Sequence, residues 1–193
     1  MGKLHPNFIV GIGGSAGALN AYKALLDHLP SNTGMAFVIV SHIIPTANSQ
    51  LAQILSRHTK MSVVVASMSM AILANHVYVI PPNADLLVKN YTFSVVSPRT
   101  KRNQQIDLFL KSLANAFGRH AIGIILSGYN GDGAEGCKYI KAKGGITFAQ
   151  DISAEVPDMP LHAAAGGNVD FVLSLDKISD ELQRLASTSM EGN

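Results

Sequence analysis

Ser15 stands in Phe8-Ile9-Val10-Gly11-Ile12-Gly13-Gly14-Ser15-Ala16-Gly17, an apolar run that breaks into glycines around one hydroxyl. A run of this kind can hold a serine above the end of a sheet, with small neighbours leaving room for a substrate carbonyl. The same residues overlap a phosphate-binding pattern, Gly11-x-Gly13-x-x-Ala16, and could also supply a helix N-cap. An unaided serine hydroxyl is a poor nucleophile: it needs a neutral imidazole to take its proton and a carboxylate to orient that imidazole. His42 follows the second apolar run, in Ser41-His42-Ile43-Ile44-Pro45. Asp132 follows the fifth long one, in Ser127-Gly128-Tyr129-Asn130-Gly131-Asp132-Gly133-Ala134-Glu135-Gly136. If these runs are neighbouring strands, Ser15, His42 and Asp132 meet at one sheet edge and acyl transfer becomes possible.

The local pattern adds detail to that expectation. Ala134 to Ala142 reads as a helix, so Asp132 at its start is expected to face the positive end of that helix. Glycines 128, 131, 133 and 136 are expected to let backbone N–H groups approach a substrate oxyanion, with Tyr129 as a pocket wall or oxyanion contributor. A dinucleotide site would require an acidic residue at the end of the second strand, but that strand ends Val40-Ser41-His42. No Gly-Lys-Ser/Thr follows the glycine turn, which excludes a P-loop.

The elements that must position these residues are legible as periodicity. Apolar, β-branched runs recur at 8–12, 35–40, 62–66, 77–80, 121–126, 146–149 and 169–173, mostly continuous, as strands covered on both faces are. Between them, Leu19, Tyr22, Leu25, Leu26 and Leu29 share a helical face. So do Leu51, Ile54 and Leu55, and then Ile106, Phe109, Leu110, Leu113 and Phe117. The alternation predicts an α/β fold: a doubly wound, mostly parallel sheet with helices on both faces and ligands at the carboxyl ends of the strands. Leu86–Val88 and Tyr91–Val96 flank Lys89-Asn90 and read as an inserted β-hairpin, which could make part of the sheet antiparallel. The segment 97–104 reads as a polar, basic surface loop.

Bulk properties narrow the class. The 193 residues suit one domain, with its core over about 7–186 and a frayed tail over 187–193. A formal net charge of +2 with scattered basic residues gives no nucleic-acid footprint. The single cysteine, Cys137, excludes an internal disulfide framework and a cysteine-built zinc cage. No apolar stretch is long enough for membrane insertion and no leader precedes the first strand, so a cytoplasmic protein is expected.

At these residues the chain resembles the CheB-type protein-glutamate methylesterase domain of bacterial chemotaxis, from about Phe8 to Leu185. The anchors are Gly11-Ile12-Gly13-Gly14-Ser15-Ala16-Gly17, Ser41-His42-Ile43-Ile44-Pro45, His76-Val77-Tyr78-Val79-Ile80-Pro81-Pro82-Asn83, Ile106-Asp107, Ile125 to Ala134, Ala149-Gln150-Asp151 and Asp158-Met159-Pro160. The resemblance implies Ser15 as nucleophile, His42 as base and Asp132 as its orienting acid, with Ala16, Tyr129 and Met159 at the oxyanion site or pocket. It implies hydrolysis of glutamate methyl esters on the cytoplasmic region of chemoreceptors, with deamidation of some glutamines, and no metal or organic cofactor. Such enzymes generally carry a receiver domain, whereas this chain opens almost on the first strand, which reads as a free-standing enzyme, an excised piece, or a segment like those fused to methyltransferase and sensor modules; regulatory or fused signalling domains are among the partners this implies. Two other readings stay open at this level: a catalytically weak module that binds signalling partners, and a serine esterase or amidase for another substrate.

Overall fold

The computed structural model describes residues 5–42 and 48–191. Ile43, Ile44 and Pro45 of the second motif, the first four residues and the last two of the tail lie outside them. Among the described residues nine strands and six α-helices follow one another: β1 (Ile9–Gly14), α1 (Ala18–His28), β2 (Ala36–Ser41), α2 (Asn48–Leu55), β3 (Ser62–Val65), β4 (His76–Val79), β5 (Asp85–Lys89), β6 (Thr92–Val96), α3 (Gln105–Phe117), β7 (Ala121–Ile125), α4 (Ala134–Ala142), β8 (Ile146–Gln150), α5 (Asp158–Ala165), β9 (Phe171–Leu173) and α6 (Leu175–Glu191).

Seven strands form one sheet in the order β3-β4-β2-β1-β7-β8-β9, every pair parallel. The chain winds outward from β1 in one direction through β2, then crosses back to β7 and continues to β9. The switch point therefore lies between β1 and β7, where a doubly wound sheet leaves a crevice at its carboxyl edge. The α/β expectation is met, and the sheet is wholly rather than mostly parallel.

The hairpin β5-β6 forms a separate two-stranded sheet packed against α3 and adds no strand to the main sheet, which it meets through Phe93 against Tyr78. Its turn is Asn90-Tyr91, one residue later than Lys89-Asn90. Lys89 pairs with Thr92, and Asn90 (φ 50°) and Tyr91 (φ 57°) both adopt the left-handed conformation that a two-residue turn of this hand demands.

Because successive side chains on a strand point to opposite faces, β1 feeds two cores. Val10 and Ile12 pack with Leu25, Phe37, Ile124, Phe148 and Leu182 beneath α1, α2 and α6. Ile9 packs with Val38, Phe109, Leu110, Leu113 and Ile140 beneath α3 and α4. Each fully buried large side chain contributes about 1.5–3 kcal/mol. Within the α1 stripe, Leu19 is exposed, while Ala18, Ala21, Tyr22, Leu25 and Leu26 are buried.

Glycine in β1 serves close approach. A Cβ on Gly11 would lie 2.6 Å from Leu110 Cδ2, and one on Gly13 would lie 2.5 Å from Ile106 Cγ2. Both are α3 side chains, so these glycines let α3 lie directly on the central strand. That contact fixes where the first turn of α3 stands.

At the other end of the chain, α6 runs on to Glu191, into the stretch read as a frayed tail. There Ser187, Thr188 and Ser189 hydroxyls donate to the carbonyls of Gln183, Arg184 and Leu185, four residues back.

Candidate active site

Strand register brings the three candidate residues to one edge. Gly14 pairs with Ser41 and Gly13 pairs with Ile125, so the next residues outward are Ser15, His42 and, across β7, Ser127. Adjacent strands lie about 4.8 Å apart, which sets Ser15 between its two neighbours. Its backbone N–H donates to the Ser127 carbonyl at 2.9 Å, pinning the turn to β7.

The Ser15 side chain does not cap α1. The N-cap residue is Gly17, at φ 71°, with no side-chain cap bond, and the Ala18 N–H bonds to the Ser15 carbonyl. The Ser15 hydroxyl is half-buried and accepts from the Ala16 N–H at 2.6 Å. Among the described hydrogen bonds, none joins Ser15 to His42.

His42 and Asp132 are joined directly. His42 Nε2 and Asp132 Oδ2 are 2.5 Å apart, with side-chain exposures of 7% and 0%. Use of Nε2 on the carboxylate leaves Nδ1 as the ring nitrogen able to take a proton. This is the reverse of the usual triad, in which Nδ1 faces the acid.

The cradle of Asp132 differs from the sequence expectation. Its Oδ1 accepts from the Asp107 N–H at 2.8 Å and its Oδ2 from the Ile106 N–H at 3.1 Å. These donors open α3, so the carboxylate faces the positive end of α3 rather than of the helix that follows it. The N-terminus of α4 belongs to Asp107, whose Oδ1 accepts from Gly133 at 3.0 Å and Gly136 at 2.7 Å. Each helix is thus capped by an acid of the other's start. A side chain 25 residues away in sequence leaves no local signal, which is why the wrong helix was expected.

The glycines of this loop also differ from expectation. The Gly128 N–H donates to the Val156 carbonyl, and those of Gly133 and Gly136 donate to Asp107, so these three are committed. What the glycines allow is proximity: a Cβ on Gly128 would lie 2.8 Å from Met159 Cε and 3.0 Å from Ser15 Oγ, and one on Gly131 2.6 Å from the His162 ring.

Met159 is wholly buried and packs beneath Gly128, while Tyr129 stands 60% exposed beside the loop. Behind the serine, Ser127 Oγ donates to the Ala16 carbonyl at 2.8 Å and accepts from the Val156 N–H at 2.9 Å. The Gln150 Oε1 accepts from the Ser127 N–H at 3.3 Å. Sequence reasoning did not single out this strut of Ser127 and Gln150, although both lie within the quoted motifs.

A cavity of about 300 Å³ opens at Ser15, lined by Gly17, Leu19, Tyr22, Ser41, Leu51 and Ile54 among others. The Tyr22 hydroxyl is buried beside the Ser41 hydroxyl, which donates to the Gly14 carbonyl. Burial pushes its ionisation upward, the nearby Ser41 hydroxyl opposing. Cys137, the other chemically versatile group, is held as a thiol: burial, then the charges of Asp107 and Asp170, push it to about 12. Among the described residues no group of three or more histidine, cysteine or acidic side chains could hold a metal, and no helix is long and apolar enough to cross a membrane.

A serine in a glycine turn, beside a buried imidazole–carboxylate pair at the switch point of a parallel sheet, defines an α/β protein of hydrolase type. Comparison with known proteins narrows this. The family model of the CheB methylesterase matches residues 10–182. A putative protein-glutamate methylesterase/protein-glutamine glutaminase of Leptospira interrogans is 36% identical over 184 residues, covering 93% of this chain and 95% of that protein. The protein-glutamate methylesterase/protein-glutamine glutaminase of Hydrogenovibrio crunogenus is 31% identical over 92% of this chain, which spans only 49% of its length. The crystal structure of the Thermotoga maritima CheB methylesterase catalytic domain superposes with a TM-score of 0.85 at 26% identity, covering 92% of this chain and 98% of that one. The chain belongs to the CheB methylesterase family.

Proposed function

We propose that this chain hydrolyses methyl esters of protein glutamates, and glutamine side-chain amides, with Ser15 as nucleophile. The observation that carries the reading is the His42–Asp132 pair, held out of water one register step from Ser15 at adjacent strand ends. The names of the relatives supply the substrate class.

In this mechanism His42 Nδ1 takes the Ser15 proton as Oγ attacks the ester carbonyl, and Asp132 holds the Nε2–H and the developing imidazolium. The oxyanion is received by the Ala16 N–H, a donor that the Ser15 hydroxyl itself occupies at rest. The imidazolium returns its proton to the methoxy oxygen as the C–O bond breaks, releasing methanol and leaving a glutamyl ester on Ser15. Water, deprotonated by the same nitrogen, then hydrolyses that ester and frees the glutamate carboxylate. Met159 supports the floor of the site from below Gly128, and Tyr129 flanks its entrance.

The substrate is a methylated chemoreceptor cytoplasmic region, and the protein acts in the cytoplasm. Release of labelled methanol from such a receptor tests the reading. Ser15→Ala is expected to lower the rate by about a thousandfold or more, and to abolish labelling by a serine-reactive phosphonate. Equal release by both proteins would overturn it; stable receptor binding without turnover by the wild type would favour a binding module.

A further inference from the structure

The exchange of caps between α3 and α4 places Asp107 one residue from the chemistry without touching it. Its backbone N–H holds Asp132 Oδ1, and its carboxylate holds the N–H of Gly133, the peptide that directly follows Asp132. The same oxygen holds the Gly136 N–H one turn further on. Gly133 sits at φ 101°, where its position would place a Cβ 2.4 Å from Ile125 Cδ1, so the backbone here is tightly confined. Asp107 therefore holds Asp132 from two directions, its carboxylate through the Asp107 amide and the peptide that follows it through the Asp107 side chain. Among the described residues, the other partners of the carboxylate are the Ile106 N–H in the first turn of α3 and His42.

We propose that Asp107 is a positioning residue of the hydrolase, acting by hydrogen bonding rather than by its charge: it fixes the 131–133 loop so that Asp132 Oδ2 meets His42 Nε2. The proposal rests on the catalytic reading of Ser15, His42 and Asp132. Cys137 and Lys111 are the other titratable groups that interact with Asp107, besides Asp132. None of them can replace an acceptor at both amides. An asparagine at 107 can, since its Oδ1 occupies the same place and it carries no charge.

The test compares Asp107→Asn, Asp107→Ser and Asp107→Ala in the full chain, by methanol release and by the low-field imidazole proton of His42 in proton NMR. Asp107→Asn is expected to keep kcat within about threefold and to keep the resonance. Asp107→Ala, and Asp107→Ser with its shorter reach, are expected to lose about tenfold to a hundredfold in kcat with KM within about twofold, and to lose or shift the resonance upfield. Thermal unfolding is followed alongside, because a purely structural role would lower Tm while leaving kcat of the folded protein and the resonance unchanged. That result overturns the proposal, as does a loss in Asp107→Asn equal to that in Asp107→Ala. If neither truncated variant folds, Asp107→Asn alone decides: wild-type kcat and resonance uphold hydrogen bonding, and loss of either refutes it. Ser15→Ala is run on the same substrate. Should it match the wild type, the catalytic reading fails while the resonance still reports whether Asp107 sets the His42–Asp132 contact.

Discussion

At the scale of single residues, the site is defined by where two carboxylates are put. Asp132 has three N–H partners and no exposure, whereas Asp107 has two partners and a cost. Burial is the largest influence on Asp107 and raises its carboxyl above the ordinary range. The Gly136 N–H opposes it, the charge of Asp132 adds to it, and Lys111 and the Gly133 N–H pull the other way. Since the raised value belongs to the folded state, folding takes up a proton between the ordinary carboxylate range and that value. The contribution is fully present below the ordinary range and is lost as pH rises through the folded value. Asp107→Asn cannot titrate and keeps the acceptor. Its Tm relative to wild type is therefore expected to climb as pH rises from about 4 to 7, and a difference that stays flat across that range would show that Asp107 does not titrate differently in the two states.

At the scale of elements, the glycine run that first suggested a phosphate cradle is a packing device. Gly11 and Gly13 are strand residues that admit α3, and α3 in turn delivers the two N–H groups that hold Asp132. The continuous apolar runs made the strands legible, and the ends of β1, β2 and β7 were enough to single out Ser15, His42 and Asp132. Three things were not legible, for one reason. The acceptor of an N-terminal helix turn, the sheet membership of the hairpin and the partners of the loop glycines are all contacts between distant segments, and periodicity reports only on neighbours. α6 stands outside the helical faces read from the sequence, although Ile178, Leu182 and Ala186 repeat at helical spacing. The two β1 glycines separate packing from placement. Gly13→Ala drives a Cβ into Ile106, whose N–H touches Asp132; Gly11→Ala drives one into Leu110, a turn further along. Both are expected to cost about 1–3 kcal/mol in urea unfolding, but only Gly13→Ala should also lower kcat of the folded protein several-fold. Equal kcat losses in the two variants would place the effect in general destabilisation.

At the scale of the molecule, both faces of the sheet are covered and its carboxyl edge is the open side. On the connections that follow β7 and β8 large apolar residues stand exposed: Tyr129 after β7 at 60%, Ile152 after β8 at 87%, and Leu161 in α5 at 50%. Scattered exposed hydrophobics are ordinary on a protein surface, but these follow adjacent strands: Tyr129 belongs to the Asp132 loop and Leu161 precedes His162, whose ring lies against Gly131. A methyl ester on a protein side chain arrives with a large polypeptide surface attached, far larger than the cavity of about 300 Å³ at Ser15. The remainder must rest on the rim. Replacing Ile152 and Leu161 together by serine removes apolar contact there without altering a buried group, so Tm should hold. KM for a methylated protein is then expected to rise by about tenfold, the equivalent of ~1.4 kcal/mol of lost contact, while turnover of a small acetate ester stays at the wild-type rate. Matching losses on the two substrates would mean that the substitutions disturb the site itself, and the rim would have no part in holding the protein substrate.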